Sequence, residues 1–90
     1  MILVSYDIQD DRLRARFAKF LMRSGAIRLQ YSLYELNNSS RMLDNVKQAI
    51  VKEFSKTFSA DDSVVIFTAS NERVEKFGNA IHRDRDLLVF

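Results

Sequence analysis

Cysteine and proline do not occur in this 90-residue chain, histidine occurs once and glycine twice. Without cysteine there is no disulfide framework, no thiolate zinc site and no cysteine nucleophile. The lone His82 does not build a histidine metal site within one chain, so the hard-cation ligands on offer are carboxylates. No stretch approaches the roughly 18 apolar residues of a membrane span, and the start lacks a charged segment followed by a long apolar run. The expectation is a soluble, cytoplasmic protein with no membrane partner. A chain of 90 residues is expected to fold as one domain, 1–90, with a core of its own but no room for a deep substrate cavity. Any active site is then shallow or shared between subunits.

What is present is charge, and it is segregated. The net charge is only +2, yet residues 1–11 hold three acids, and residues 12–34 hold six cations and no acid. A local positive block of this kind suits phosphate backbones, which attract cations without regard to base identity. The plainer reading is a solvated helix face.

The apolar run Ile2-Leu3-Val4 before Tyr6 reads as a buried strand over about 1–7, with Asp7 at its carboxyl end, where open sheets with helical crossovers commonly place ligands. A helix is predicted over about 11–24, capped by Asp10 or Asp11 and ended by Gly25 in a left-handed turn. Leu13, Phe17, Phe20, Leu21 and Ser24 share one side of it, and Arg12, Arg16, Lys19 and Arg23 line up as a separate stripe. Residues 26–37 are β-rich, but the apolar set Ile27, Leu29, Tyr31, Leu33 changes phase at Tyr34 and Leu36, as at a bulge or a handover between strands. No glycine or proline marks the turn between them. A second amphipathic helix follows from Leu43, Val46, Ile50 and Phe54 and is expected to end near Thr57. Ser63 to Phe67 reads as a further strand, and Leu87-Leu88-Val89-Phe90 as a terminal one that needs a sheet edge in its own or a neighbouring subunit. The order predicts an α+β, ferredoxin-like βαββαβ fold with an additional C-terminal strand.

The string from Tyr6 to Arg16, with Tyr6-Asp7-Ile8 and Arg14-Ala15-Arg16, followed by Arg28-Leu29-Gln30-Tyr31-Ser32, resembles the CRISPR-associated Cas-two family, the small subunit of the spacer-acquisition machinery. The resemblance implies a homodimer whose terminal strand pairs with the partner subunit, and a partner in the CRISPR integrase subunit. It also implies a Mg²⁺-dependent endonuclease acting on RNA or double-stranded DNA, or alternatively a non-catalytic DNA-binding bridge between integrase dimers. Carried over by position, the metal-binding aspartate falls on Asp7, with Tyr6 beside it as a secondary catalytic candidate. The family's arginines fall on Arg14, Arg16 and Arg28, and an aromatic on Tyr34. With the stripe on the first helix, the expected nucleic-acid contacts are Arg12, Arg14, Arg16, Lys19, Arg23 and Arg28.

Each of these residues also has a structural reading. Asp7 can cap or pair with an arginine, and Mg²⁺ typically takes one or two carboxylates plus substrate phosphate, so one Asp7 per chain points to a site shared across a twofold axis. Asp10 and Asp11 fit helix caps better than ligands. Tyr6 can be core packing with its hydroxyl satisfied at an edge. Arg14 lies off the stripe and is placed to reach toward Asp7 or across an interface. Tyr31 and Tyr34 fit core or dimer packing before base stacking, and His82 reads as a solvated surface residue. A ligand-sensing module of the same fold has no need of six uninterrupted cations, and an RRM-type RNA binder would show more sheet aromatics than the single Phe67.

Overall fold

The computed structural model describes residues 1–36 and 39–79. Strand β1 (Ile2–Asp7) leads into helix α1 (Asp11–Arg23), the hairpin β2 (Ile27–Gln30) and β3 (Leu33–Leu36), helix α2 (Ser40–Lys52), a 3₁₀ turn at Phe54–Thr57, and β4 (Ser63–Thr68). The sheet order is β2-β3-β1-β4, and β1 runs antiparallel to both β3 and β4. This is the ferredoxin-like βαββαβ arrangement that the element order predicts. The expected C-terminal strand Leu87 to Phe90 and His82 lie outside the described residues.

Alternation along β1 divides the sheet into two unlike sides. Ile2, Val4 and Tyr6 are buried beneath the helices together with Tyr34 and Leu36 of β3, and with Leu13, Phe17 and Leu21 of α1. Phe17 is the hub of this core, with ring centroids 5.1 Å from Tyr6 and 5.0 Å from Phe54, both edge-on. Leu3, Ser5 and Asp7 occupy the other side, in register with Glu35, Leu33 and the β4 residues Phe67, Val65 and Ser63. There the Lys76 ammonium donates to Glu35 at 3.3 Å, so the chain after β4 crosses back over this side.

Local chemistry sets the ends of α1. The Asp10 carboxylate accepts from the Leu13 amide at 2.8 Å, filling one of the free donors of the first turn. Gly25 ends the helix at φ +89°, a conformation that a Cβ would strain.

Two departures from the sequence pattern have identifiable causes. The hairpin turns at Tyr31-Ser32 without glycine, and a register shift between Arg28 and Gln30 makes Leu29 the extra residue of a bulge, so both sources of the phase change are present. The second helix stops at Lys52 instead of continuing to Thr57. Beyond it the Ser55 and Thr57 hydroxyls donate to the carbonyls of Val51 and Phe54, both at 2.9 Å. Such side-chain bonds compete with helix continuation, and the tighter turn carries the Phe54 ring into the core against Phe17 and Phe20.

Candidate nucleic-acid interface

Arg12, Arg16, Lys19 and Arg23 all lie on the exposed side of α1, away from the sheet. Arg16 is partly committed within the fold: its guanidinium donates to Glu53 at 3.3 Å and sits 5.7 Å from the centre of the Phe54 ring. No ion pair within 4.0 Å engages Arg12, Lys19 or Arg23 among the described residues. Three exposed cations outside these ion pairs and one braced cation thus form a row along one helix, a geometry that fits successive backbone phosphates.

Asp7 is exposed at the last position of β1, on the side of the sheet opposite the helices. Its carboxylate accepts from the Gln9 side-chain amide at 3.1 Å. The loop after it is fixed by Asp62, which accepts from the Gln9 amide at 2.8 Å and the Ser59 amide at 2.7 Å. Those two backbone donors hold the Asp62 carboxyl below its ordinary value, since they favour the charged form. Nothing in the local sequence marks Asp62 as this clamp, because its main partner lies 53 residues away.

Tyr6 and Asp7 are neighbours in sequence but point to opposite sides of the sheet, as successive residues of a strand must. The Tyr6 ring is buried between Phe17 and Tyr34, at 5.1 and 6.0 Å. Its hydroxyl meets the Tyr31 carbonyl only at 3.5 Å. Burial, then the neighbouring Tyr34 phenol, pushes the Tyr6 phenol far above its ordinary range. Its chemistry at neutral pH is therefore hydrogen-bond donation and not proton abstraction.

Arg14 does not reach toward Asp7. From the first turns of α1 it donates to the carbonyls of Ile8 at 3.0 Å and Gln9 at 3.4 Å, and it pairs with Asp11. A carboxylate three residues earlier on the same helix and two carbonyls of the preceding loop lie within its reach. The Asp11 bond, and more weakly the Tyr31 hydroxyl, raises the Arg14 guanidinium further above its ordinary value.

Arg28 is directly opposite Tyr34 in the β2–β3 ladder, so it shares the helix-facing side at the edge of the sheet. It stacks over Tyr31, 5.1 Å from the ring centre, while Tyr31 itself is 68% exposed. Position along the chain gives no sign that Arg14, Arg28 and Tyr6 meet at one hollow between α1 and the hairpin, but they do. The sequence-derived site residues accordingly fall into three places: the stripe on α1, this hollow, and Asp7 alone on the far side. Among the described residues no group of three or more His, Cys, Asp or Glu side chains forms a metal cluster. One exposed hard carboxylate per chain fits a Mg²⁺ ion only where a second copy or a substrate phosphate completes the oxygen set.

Comparison with known proteins bears on the family and the fold. The family model for CRISPR associated protein Cas2 matches residues 1–77. The CRISPR-associated endoribonuclease Cas2 1 of Archaeoglobus fulgidus is 42% identical over 67 residues, which make up 72% of this chain but 64% of that protein. The matched stretch is thus under two thirds of the relative's length. Among solved structures, a hypothetical protein from Thermus thermophilus superposes with a TM-score of 0.69 at 26% identity, covering 86% of this chain and 88% of that one. Cas2 of Streptococcus pyogenes superposes with a TM-score of 0.65 at 20% identity, covering 86% of this chain and 98% of that one, which is a likeness of fold. With its Tyr6-to-Arg16 string at the junction of β1 and α1 and its matching sheet, this chain belongs to the CRISPR-associated protein Cas2 family.

Proposed function

We propose that the chain is a nucleic-acid-binding subunit of CRISPR spacer acquisition that hydrolyses phosphodiester bonds of RNA or double-stranded DNA with Mg²⁺ held at Asp7. The observation that carries the binding half is the exposed cation row on α1, Arg12, Arg16, Lys19 and Arg23. Support for cleavage comes from the family and from the endoribonuclease named among its relatives. Asp7 contributes an exposed carboxylate on a rigid strand end, with Gln9 bonded to it. Mg²⁺ bound there would activate a water and stabilise the leaving oxygen of the phosphodiester. The chain's own part is to hold the backbone by charge and to fix the Asp7 loop through Asp62.

A homodimer belongs to this reading. Val65 and Phe67 are 54% and 43% exposed on the side of the sheet that carries Asp7. A second copy of the chain seated on that side would cover them and bring a second Asp7 to the same surface. The alternative role, a non-catalytic bridge holding DNA for the CRISPR integrase subunit, is favoured by one observation: Asp7 has no acidic cluster around it among the described residues.

Cleavage of labelled single-stranded RNA and double-stranded DNA with Mg²⁺ or with EDTA, beside Asp7→Ala, tests the proposal. Metal-dependent cutting that disappears in the variant is expected. A folded protein that binds DNA, cuts nothing, and supports integration equally well with Asp7→Ala would replace the nuclease by the bridge.

A further inference from the structure

Gln9 stands exposed in the loop between β1 and α1, yet side chains from α1 and from the loop before β4 grip its backbone. Its amide donates to the Asp62 carboxylate at 2.8 Å. Its carbonyl accepts from the Arg14 guanidinium at 3.4 Å, and the Ile8 carbonyl accepts from the same group at 3.0 Å. On one side of Gln9 the Ile8 side chain is buried in the core, and on the other the Asp10 carboxylate caps α1. An exposed loop residue ordinarily leaves its backbone groups to water. The part of Gln9 that remains free to choose a partner is its side chain, and this turns back to Asp7, donating to one carboxylate oxygen at 3.1 Å. An ionised carboxylate only accepts, so the amino end of the carboxamide is the end that meets it.

We propose that Gln9 is a positioning residue for the hydrolysis centred on Asp7: its carboxamide fixes the Asp7 carboxylate in one orientation, while Asp62 and Arg14 fix the residue that carries the carboxamide. The inference rests on the reading of Asp7 as the metal-holding residue. It also gives Arg14 a task inside the fold, as a brace of this loop.

Asp7 closes β1 as an exposed side chain, and Gln9 is its one hydrogen-bond partner among the described residues. Without that bond the carboxylate would spread over several rotamers, and each binding event would have to gather it into one. Holding it beforehand removes that cost and leaves its other oxygen open to a hard cation. Stabilising the loop does not account for the bond, since Asp62, Arg14 and Asp10 already fix the backbone. The residue type fits the task as well. A lysine in this place would compete with a cation for the carboxylate, and a second acid at such a distance would repel it. The neutral carboxamide orients Asp7 without cancelling its charge.

Mn²⁺ serves as the probe, because it shares the octahedral, oxygen-preferring coordination of Mg²⁺ and broadens nearby resonances. The full-length ¹⁵N-labelled chain is titrated at constant ionic strength as parent, Gln9→Met, Asp62→Ala and Asp7→Ala, and the Ile8 and Asp10 backbone amides are followed. Methionine keeps the reach of glutamine but donates no hydrogen bond, and an amide spectrum matching the parent beyond the loop shows the fold intact. Saturable broadening in the parent and its absence in Asp7→Ala are expected. Affinity in Gln9→Met should be about tenfold weaker, the lower end of what partners of ligating carboxylates typically contribute, or about 1.4 kcal/mol. Asp62→Ala frees the Gln9 amide but keeps its side chain, so the loss should be smaller, about threefold. Gln48→Met, on the exposed side of α2, should change the affinity less than about twofold. Broadening in the parent with equal affinity in Gln9→Met overturns the positioning role and leaves metal binding at Asp7 standing. No broadening in the parent removes the metal from Asp7 and the positioning role with it.

Discussion

The cation row on α1 makes a quantitative demand on salt dependence. If Arg12, Arg16, Lys19 and Arg23 each neutralise one phosphate, the slope of log affinity against log salt is about −3.6 per chain on duplex DNA and about −2.8 on a single strand. Between 50 and 200 mM salt, duplex affinity then falls by about 150-fold and single-strand affinity by about 50-fold. Replacing Arg12 and Lys19 by Gln removes two exposed cations that no ion pair engages among the described residues. The duplex slope should halve to about −1.8, and the loss over the same range should shrink to about 12-fold. Two chains engaging one duplex would double both slopes but keep their ratio. Fluorescence anisotropy with a labelled duplex across four salt concentrations measures this directly. A slope that stays unchanged in the double variant would show that the row does not touch the backbone. A slope near zero in the parent chain would remove phosphate binding as the basis of function.

Three further outcomes follow from the packing and the clamps. Phe17→Ala deletes a fully buried ring packed on Tyr6 and Phe54, so it should cost about 3–5 kcal/mol and lower Tm by about 12 °C or more. A drop of under about 5 °C in thermal denaturation would refute its place as the hub. Gly25→Ala forces a Cβ into φ +89° and within 3.2 Å of the Met42 methyl. It should destabilise the protein by about 1–2 kcal/mol in urea unfolding, and a neutral result would mean the turn rearranges freely. Asp62 is held below its ordinary value of 3.8 by the Gln9 and Ser59 amides. Its contribution is therefore complete above that value and is lost as pH falls through the lowered folded value. Melting curves from pH 7 to pH 2 should lose stability less steeply at the acid end in Asp62→Asn, and parallel acid limbs would contradict the clamp.

How much of this was legible in the sequence depends on how local the cause is. Helix α1 is legible in outline: the sequence offers Asp10 or Asp11 as its cap and the fold uses Asp10, the Leu13-Phe17-Leu21 spacing turns one side inward, and Gly25 stops it. The phase change near Tyr34 signalled a break in the strand, but not that it combines a turn at Tyr31-Ser32 with a bulge at Leu29. The apolar spacing carries through Phe54 and points to an end near Thr57, whereas the Ser55 and Thr57 hydroxyls redirect the backbone after Lys52. The cation row was readable from periodicity alone. The hollow was not, because it depends on which side of an edge strand Arg28 occupies and on a helix that returns across the sheet to meet it. The helical angle of Arg14 points toward Asp7 or across an interface; its partners within the fold, Asp11 and the Ile8 and Gln9 carbonyls, lie within six residues of it.

The two-sidedness of β1 has a consequence for how such a chain can change over generations. Tyr6 faces the helices and Asp7 faces away because they sit one step apart on a ribbon of period two. Gaining or losing one residue inside β1 would exchange them, driving a carboxylate under the aromatic core and leaving a phenol outside. Length variation in this strand is therefore restricted by parity, with steps of two tolerated and steps of one lethal to both surfaces at once. The adjoining loop, tied to Asp62, is where odd-numbered insertions can be absorbed.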